Sequence, residues 1–217
     1  MAVARTIAVR NAHPRLRIPR GAVSKVIALL DEHFEMLPSD LPFLSLPHMR
    51  LRDLQSRFKN PKSKISVCPS GELSVVFLTD PAIAKIHADF MDDPTTTDVI
   101  TFEGDPAAEL AGEICISADT AARYVGLSPV AALEQSDNVA TLSAGRLKRS
   151  YDKKRSQGSA LQESFATELT LYVVHGWLHL AGYDDLQPAK KRRMRAAEKR
   201  AMAILRDAQA VPAFRLV

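Results

Sequence analysis

The sequence predicts an α+β fold in a single domain. Three observations lead there: short β-rich runs occupy the first half, two long helical stretches follow, and no internal repeat interrupts them. A chain of 217 residues suits one domain with a proper core and is short for two.

Residues 4–10 read as a strand, and 20–34 as a helix with Val23, Val26, Ile27 and Leu30 on one face. Three prolines in LPSDLPFLSLPH (37–48) predict an irregular connection. GELSVVFLTD (71–80) reads as a turn followed by a buried strand. Asp80 is then placed to cap a helix that opens with Pro81 and runs through AIAKIHADF. TDVITF (97–102) and GEICIS (112–117) are β-rich runs separated by a polar loop holding Gly104 and Pro106. Helix is expected from Asp119 to Val125.

Residues 128–163 differ in kind, being polar, basic and poor in large apolar groups. They read as a basic insertion, with a partial helix around 130–150 and a mobile remainder. From Glu163 the chain turns apolar, and FATELTLYVVHGWLHLA predicts a central buried helix. A last helix begins near Pro188, with Ala201, Ile204, Leu205 and Ala208 as its apolar stripe.

Apolar residues at 46% and charged residues at 25% are ordinary for a globular protein, and no apolar run approaches the length of a membrane span. Arg5 and Arg10 interrupt the apolar stretch of MAVARTIAVR, so no secretory leader is expected. Cys68 and Cys115 are too few for a disulfide framework or a four-cysteine zinc site; they read as reduced thiols of a cytoplasmic protein.

The net charge is only +4, yet the positive charge is clustered. GRLKRSYDKKR (145–155) includes Arg149 and Lys153, and KKRRMRAAEKR (190–200) opens with Lys190, Lys191, Arg192 and Arg193. Such blocks are ordinarily solvated surface. Two of them flanking a candidate active site point to a polyanionic partner, with nucleic acid first in line.

That candidate site is HGWLHLAGYDD, residues 175–185. Histidines at i and i+4 share a helix face, so the imidazoles of His175 and His179 can reach one cation. Gly182 can take a left-handed conformation and end the helix, letting the chain double back with Asp185. Two imidazoles and one carboxylate suit Zn²⁺ with an open fourth position. The spacing matches the extended zincin motif, whose second residue is a glutamate acting as general base. Gly176 stands in that place, which counts against a protease.

HGWLHLAGYDD resembles H-G-x-L-H-L-x-G-Y-D-H, the signature of the YbeY endoribonucleases. FLTDPAIAKIHADF, TTTDVITF and GEICIS resemble successive core segments of that family, in its order. The resemblance spans roughly residues 65–126 and 164–205. It implies a small α/β sandwich, zincin-like in carrying its metal site on a central buried helix. It also implies one Zn²⁺ per chain on His175, His179 and Asp185, and metal-dependent cleavage of single-stranded RNA. The implied substrate is the 3′ end of 16S rRNA, with a further role in ribosome quality control. The implied partners are the small ribosomal subunit, ribosomal proteins and ribosome-associated GTPases. A ribosome-assembly factor with a structural zinc and little catalysis is the alternative.

Two departures from the family stand out. Asp185 takes the place usually held by a histidine, with Asp184 the fallback ligand if the chain turns differently. Met91 stands where the family usually has an arginine; a basic residue from elsewhere, Lys85 or one of 145–155, then substitutes, or catalysis is weaker. Asp98 is read equally as a site residue and as a turn residue. His13, His33, His48 and His87 read as structural, Trp177 as core, and Tyr183 and Asp184 as shaping the turn to Asp185.

Overall fold

The structure is a computed structural model that describes residues 5–37, 71–127 and 144–217, with the backbone alone over 144–157. The expectations for 37–48 beyond Leu37, including His48, and those for Cys68 and 128–143 lie outside the described residues. So do the side chains of Arg149 and Lys153.

Strand β1 (Arg5–Asn11), a short β2 (Leu16–Arg17) and helix α1 (Ala22–Glu32) come first. Strand β3 (Gly71–Leu78), helix α2 (Asp80–Met91), strands β4 (Val99–Glu103) and β5 (Leu110–Ser117), and helix α3 (Ala118–Tyr124) follow. Two long helices, α4 (Ala144–Leu180) and α5 (Pro188–Asp207), precede a last short strand, β6 (Arg215–Leu216). The fold is thus α+β as expected, with a four-stranded sheet in the order β1-β3-β5-β4. β1, β3 and β5 run parallel, and β4 pairs antiparallel with β5 at the edge.

Alternation along the strands divides the core between the two sheet faces. Leu73, Val75 and Phe77 of β3, with Ile114 and Ile116 of β5, face the main core of α1, α4 and α5. Val76 and Leu78, with Ile100 and Cys115, face the other way onto Ile83 of α2. All four predicted residues of α1 are buried. The largest fully buried side chain is Trp177, which packs edge-on to Phe34 and donates its indole N–H to Asp31 Oδ1 at 3.1 Å. The core reading of Trp177 therefore holds, and base stacking by it is excluded.

Three expectations need correction, and one element was missed. Thr79, not Asp80, is the N-cap of α2. The Asp80 carboxylate instead accepts from Ser117 Oγ at 2.6 Å and Thr120 Oγ1 at 2.9 Å, and pairs with Arg123, tying α2 to α3. The central helix begins at Ala144 rather than near Glu163. Its first half has no apolar periodicity to detect, but its Ala, Leu, Lys, Arg and Gln are good helix formers, and propagation from an existing helix is cheap. Ala208 is exposed and caps α5 rather than joining its buried face, which holds Met194, Ala197, Ala201 and Leu205. The β2–β6 ribbon, pairing Leu16 with Leu216, was not legible because each strand is two residues long.

Gly176 gains a structural reason. A Cβ there would lie 2.4 Å from Ile114 Cγ2 and 3.3 Å from Val99 Cγ1. The position faces the sheet, so the glycine lets α4 seat against β4 and β5. A glutamate would point into the core rather than towards His175.

Candidate metal centre

From Phe165 onward, helix α4 is apolar on the side that meets the sheet and polar along one narrow stripe. Glu168, Tyr172, His175 and His179 follow one another at spacings of four, three and four, the repeat of a single helix face. The first three line a cleft of about 510 Å³. Asp98 and Thr97 border it from the start of β4, Arg123 and Tyr124 from α3, and Lys191, Arg195 and Glu198 from α5. Asp185 closes it from the turn between α4 and α5.

Gly182 makes that turn. At φ +91° it takes the left-handed conformation anticipated for it. Its N–H donates to His179 O at 2.9 Å, and the N–H of Tyr183 donates to Leu178 O at 3.0 Å, the paired bonds of a Schellman end. The buried Tyr183 then presents its carbonyl to His179 Nδ1 at 3.1 Å. A carbonyl can only accept, so the proton of a neutral His179 sits on Nδ1. On His175, Nδ1 meets Glu198 Oε1 at 2.6 Å and is protonated for the same reason.

Both Nε2 atoms are therefore left as lone pairs, and they face each other at 3.0 Å. Two neutral rings held this way repel, and a shared proton or a shared cation relieves the repulsion. Burial pulls the His175 ring down, but the hydrogen bond and charge of Glu198, with Asp98 and Asp185, outweigh it and raise the pKa. In His179, burial and the charge of His175 lower it. Two Zn–N bonds of about 2.0–2.1 Å at a tetrahedral angle set their nitrogens about 3.3 Å apart, close to the observed spacing. Imidazoles whose Nδ1–H groups are held by a carboxylate and a carbonyl are the arrangement that metal-ligating histidines adopt.

The donor chemistry thus fits a divalent metal at two positions. Asp185 lines the same cleft, and its charge acts on both rings. Even so, among the described residues no set of three His, Cys, Asp or Glu side chains is gathered closely enough to hold an ion. Asp184 is committed elsewhere: it accepts from Leu186 N at 2.7 Å and pairs with Lys190 Nζ at 2.6 Å.

The remaining candidates sort by position. Asp98 Oδ1 accepts from Val99 N at 2.9 Å, as a turn residue does, and the residue also lines the cleft. Lys191 lines the cleft, whereas Lys190 is paired with Asp184, and Arg192 and Arg193 are exposed away from it. Met91 is half exposed and Lys85 pairs with Asp89 at 2.7 Å; neither borders the cleft. His13 is buried against Asp119 at 3.0 Å, and His87 holds the loop carbonyl of Thr95 at 2.9 Å.

Sequence reasoning missed Glu168, Arg123, Tyr124, Arg195 and Glu198. Glu168 was detectable as the start of the polar stripe, seven residues before His175. Burial raises its pKa, helped by the charges of Asp98 and Glu198 against the opposing hydrogen bond from Tyr172. Glu198 had one signal: it is the lone acid in KKRRMRAAEKR, next to the buried Ala197.

Fold and cleft together define the class: an α+β protein with a histidine pair set among carboxylates and ringed by cations on one side. The sequence profile of the family described as "Endoribonuclease YbeY" matches residues 48–128 and 130–206. This chain belongs to the YbeY endoribonuclease family. It is 29% identical over 171 residues to the endoribonuclease YbeY of Chlamydia felis, covering 74% of this chain and 89% of that one. With the Limosilactobacillus reuteri endoribonuclease YbeY it shares 32% identity over 149 residues, 69% of this chain and 83% of the other. A solution structure of a Thermotoga maritima protein overlaps 96% of this chain and 95% of its own, at 16% identity and a TM-score of 0.41.

Proposed function

We propose that this protein is a metal-dependent endoribonuclease acting on single-stranded RNA, with His175, His179 and Asp185 holding one Zn²⁺ in a zincin-like arrangement. The observation that carries the reading is the pair of Nε2 lone pairs facing each other at 3.0 Å, each ring held from behind through Nδ1. A divalent cation held there supplies Lewis acidity at neutral pH. Glu198 and the Tyr183 carbonyl keep the two rings turned inward. Asp185, which lines the same cleft, would supply the third ligand. Glu168, whose burial favours the protonated carboxyl, is placed to hold a proton at its carboxylate oxygens on the cleft wall. Lys191 and Arg195, which border the cleft, would supply positive charge to the phosphates in place of an arginine at position 91.

The substrate we propose is the 3′ end of 16S rRNA on the small ribosomal subunit in the cytoplasm, with a part in ribosome quality control and contacts to ribosomal proteins or ribosome-associated GTPases. Among the described residues no helix is long and apolar enough to cross a membrane. The test is cleavage of single-stranded RNA by full-length protein whose bound metal has been quantified, beside His179→Ala. Metal-dependent cleavage lost in the variant supports the reading. Bound metal without cleavage would favour the assembly-factor alternative, and cleavage that survives His179→Ala would end the metal mechanism.

A further inference from the structure

We propose that Tyr124 is a stacking platform for one nucleobase of the single-stranded substrate, at the rim of the cleft that holds His175.

An exposed aromatic is ordinary by itself. Tyr124 differs in where it stands: its side chain is 75% exposed and yet borders the same cleft as His175, Asp185 and Glu198. It is the last residue of α3, and that end of the helix is pinned. Its neighbour Arg123 pairs with Asp80, and Arg123 Nη2 donates to Thr120 Oγ1 at 3.0 Å. The ring is therefore presented from a fixed backbone, and a tyrosine side chain with two torsions loses little entropy when a base lies on it.

Charge shows why such a platform is needed. The floor of the cleft carries Asp98, Asp185 and Glu198, so a bare polyanion is repelled there until a cation is bound. Lys191 and Arg195 border the cleft from α5, and among the described residues no carboxylate pairs with either. They can hold phosphate, but they cannot tell single-stranded from double-stranded nucleic acid. An aromatic face can, because a base is free to stack only when it is unpaired. Stacking also adds affinity that does not depend on the charge of the floor. Tyr124 is thus the residue that selects for single strands.

This inference rests on the RNA reading above, and the experiment separates their failures. Full-length wild type, Tyr124→Ala, Tyr124→Phe and Tyr124→Trp are titrated against a 2′-O-methyl oligouridylate of about ten nucleotides. An abasic oligomer of equal length and charge is the control. Tyr124→Ala should weaken binding of the base-bearing strand roughly five- to 150-fold and leave the abasic strand unaffected, while Tyr124→Phe retains affinity. In Tyr124→Trp the new indole should be quenched by the oligouridylate and not by the abasic strand; the buried Trp177 is a constant background. Unchanged binding in Tyr124→Ala, or equal loss for both strands, overturns the stacking role while RNA binding stands. Failure of wild type to bind either strand overturns both. Thermal melting of each variant shows that a loss is not unfolding.

Discussion

Replacing Glu198 by alanine removes the carboxylate that holds His175 Nδ1 at 2.6 Å. The side chains of this pair are 23% and 18% exposed, so water screens the interaction only partly and cannot fully replace it. Without it the ring can rotate about its side-chain torsions, and its Nε2 no longer points at His179. Loss of such an outer partner costs about 10- to 100-fold in metal affinity, or about 1.4–2.7 kcal/mol. That agrees with about 1.5–3 kcal/mol for a hydrogen bond to a charged group. The assay is zinc competition against a chromogenic chelator, using the full-length chain. Glu198→Ala should fall in that range, Glu198→Gln between it and wild type, and His179→Ala below measurement. Asp184→Ala is the control, because that carboxylate is held by Leu186 N and Lys190. Wild-type zinc affinity in Glu198→Ala would refute the claim that Glu198 orients a ligand. A loss in Asp184→Ala as large as in Glu198→Ala would refute the choice of carboxylate.

Three further expectations follow from the same geometry. Gly176→Ala should lower unfolding stability by about 1–3 kcal/mol in a denaturant titration, because the added methyl meets Ile114 Cγ2 at 2.4 Å; a gain, as helix propensity alone would give, would show that the helix can shift freely. Burial, aided by the charge of Glu113, pushes the Cys115 thiol up to about 12 from 9.0. Iodoacetamide at about pH 8 should therefore leave it unlabelled in the native protein. With the folded value raised, its contribution is fully present below pH 9.0 and is lost as pH rises towards about 12, since the unfolded thiol ionises first; stability that rises across that window would contradict this. Lys191→Ala with Arg195→Ala should flatten the salt dependence of single-stranded RNA binding by about 0.7 in log–log slope per lost phosphate contact, and an unchanged slope would remove both from the interface.

The histidine pair, its glycine and Asp185 were legible because they are local: helical spacing and one left-handed turn place them without help from the rest of the chain. The partners that make the histidines useful were not. Glu198 reaches His175 only because α5 folds back along α4, a contact across 23 residues, and in the sequence it is hidden by the basic residues around it. Arg123 and Tyr124 arrive from a different crossover, after β5. Gly176 was legible as an absent base, but its steric cause required the sheet beneath it. Met91 drew attention as a missing charge; the structure sets it outside the cleft and brings other cations in.

The two rings are not equally secure. His179 is held by a main-chain oxygen, so no side-chain substitution at Tyr183 can delete its acceptor, and the holding travels with the end of α4 itself. His175 depends on a side chain of another helix. Displacement of α5 as an intact helix would leave His179 oriented while freeing His175. The centre should then be lost in two stages, the first of them a loosening of the helical hairpin that leaves the sheet and α4 intact. Metal release would report that loosening before circular dichroism registers any change.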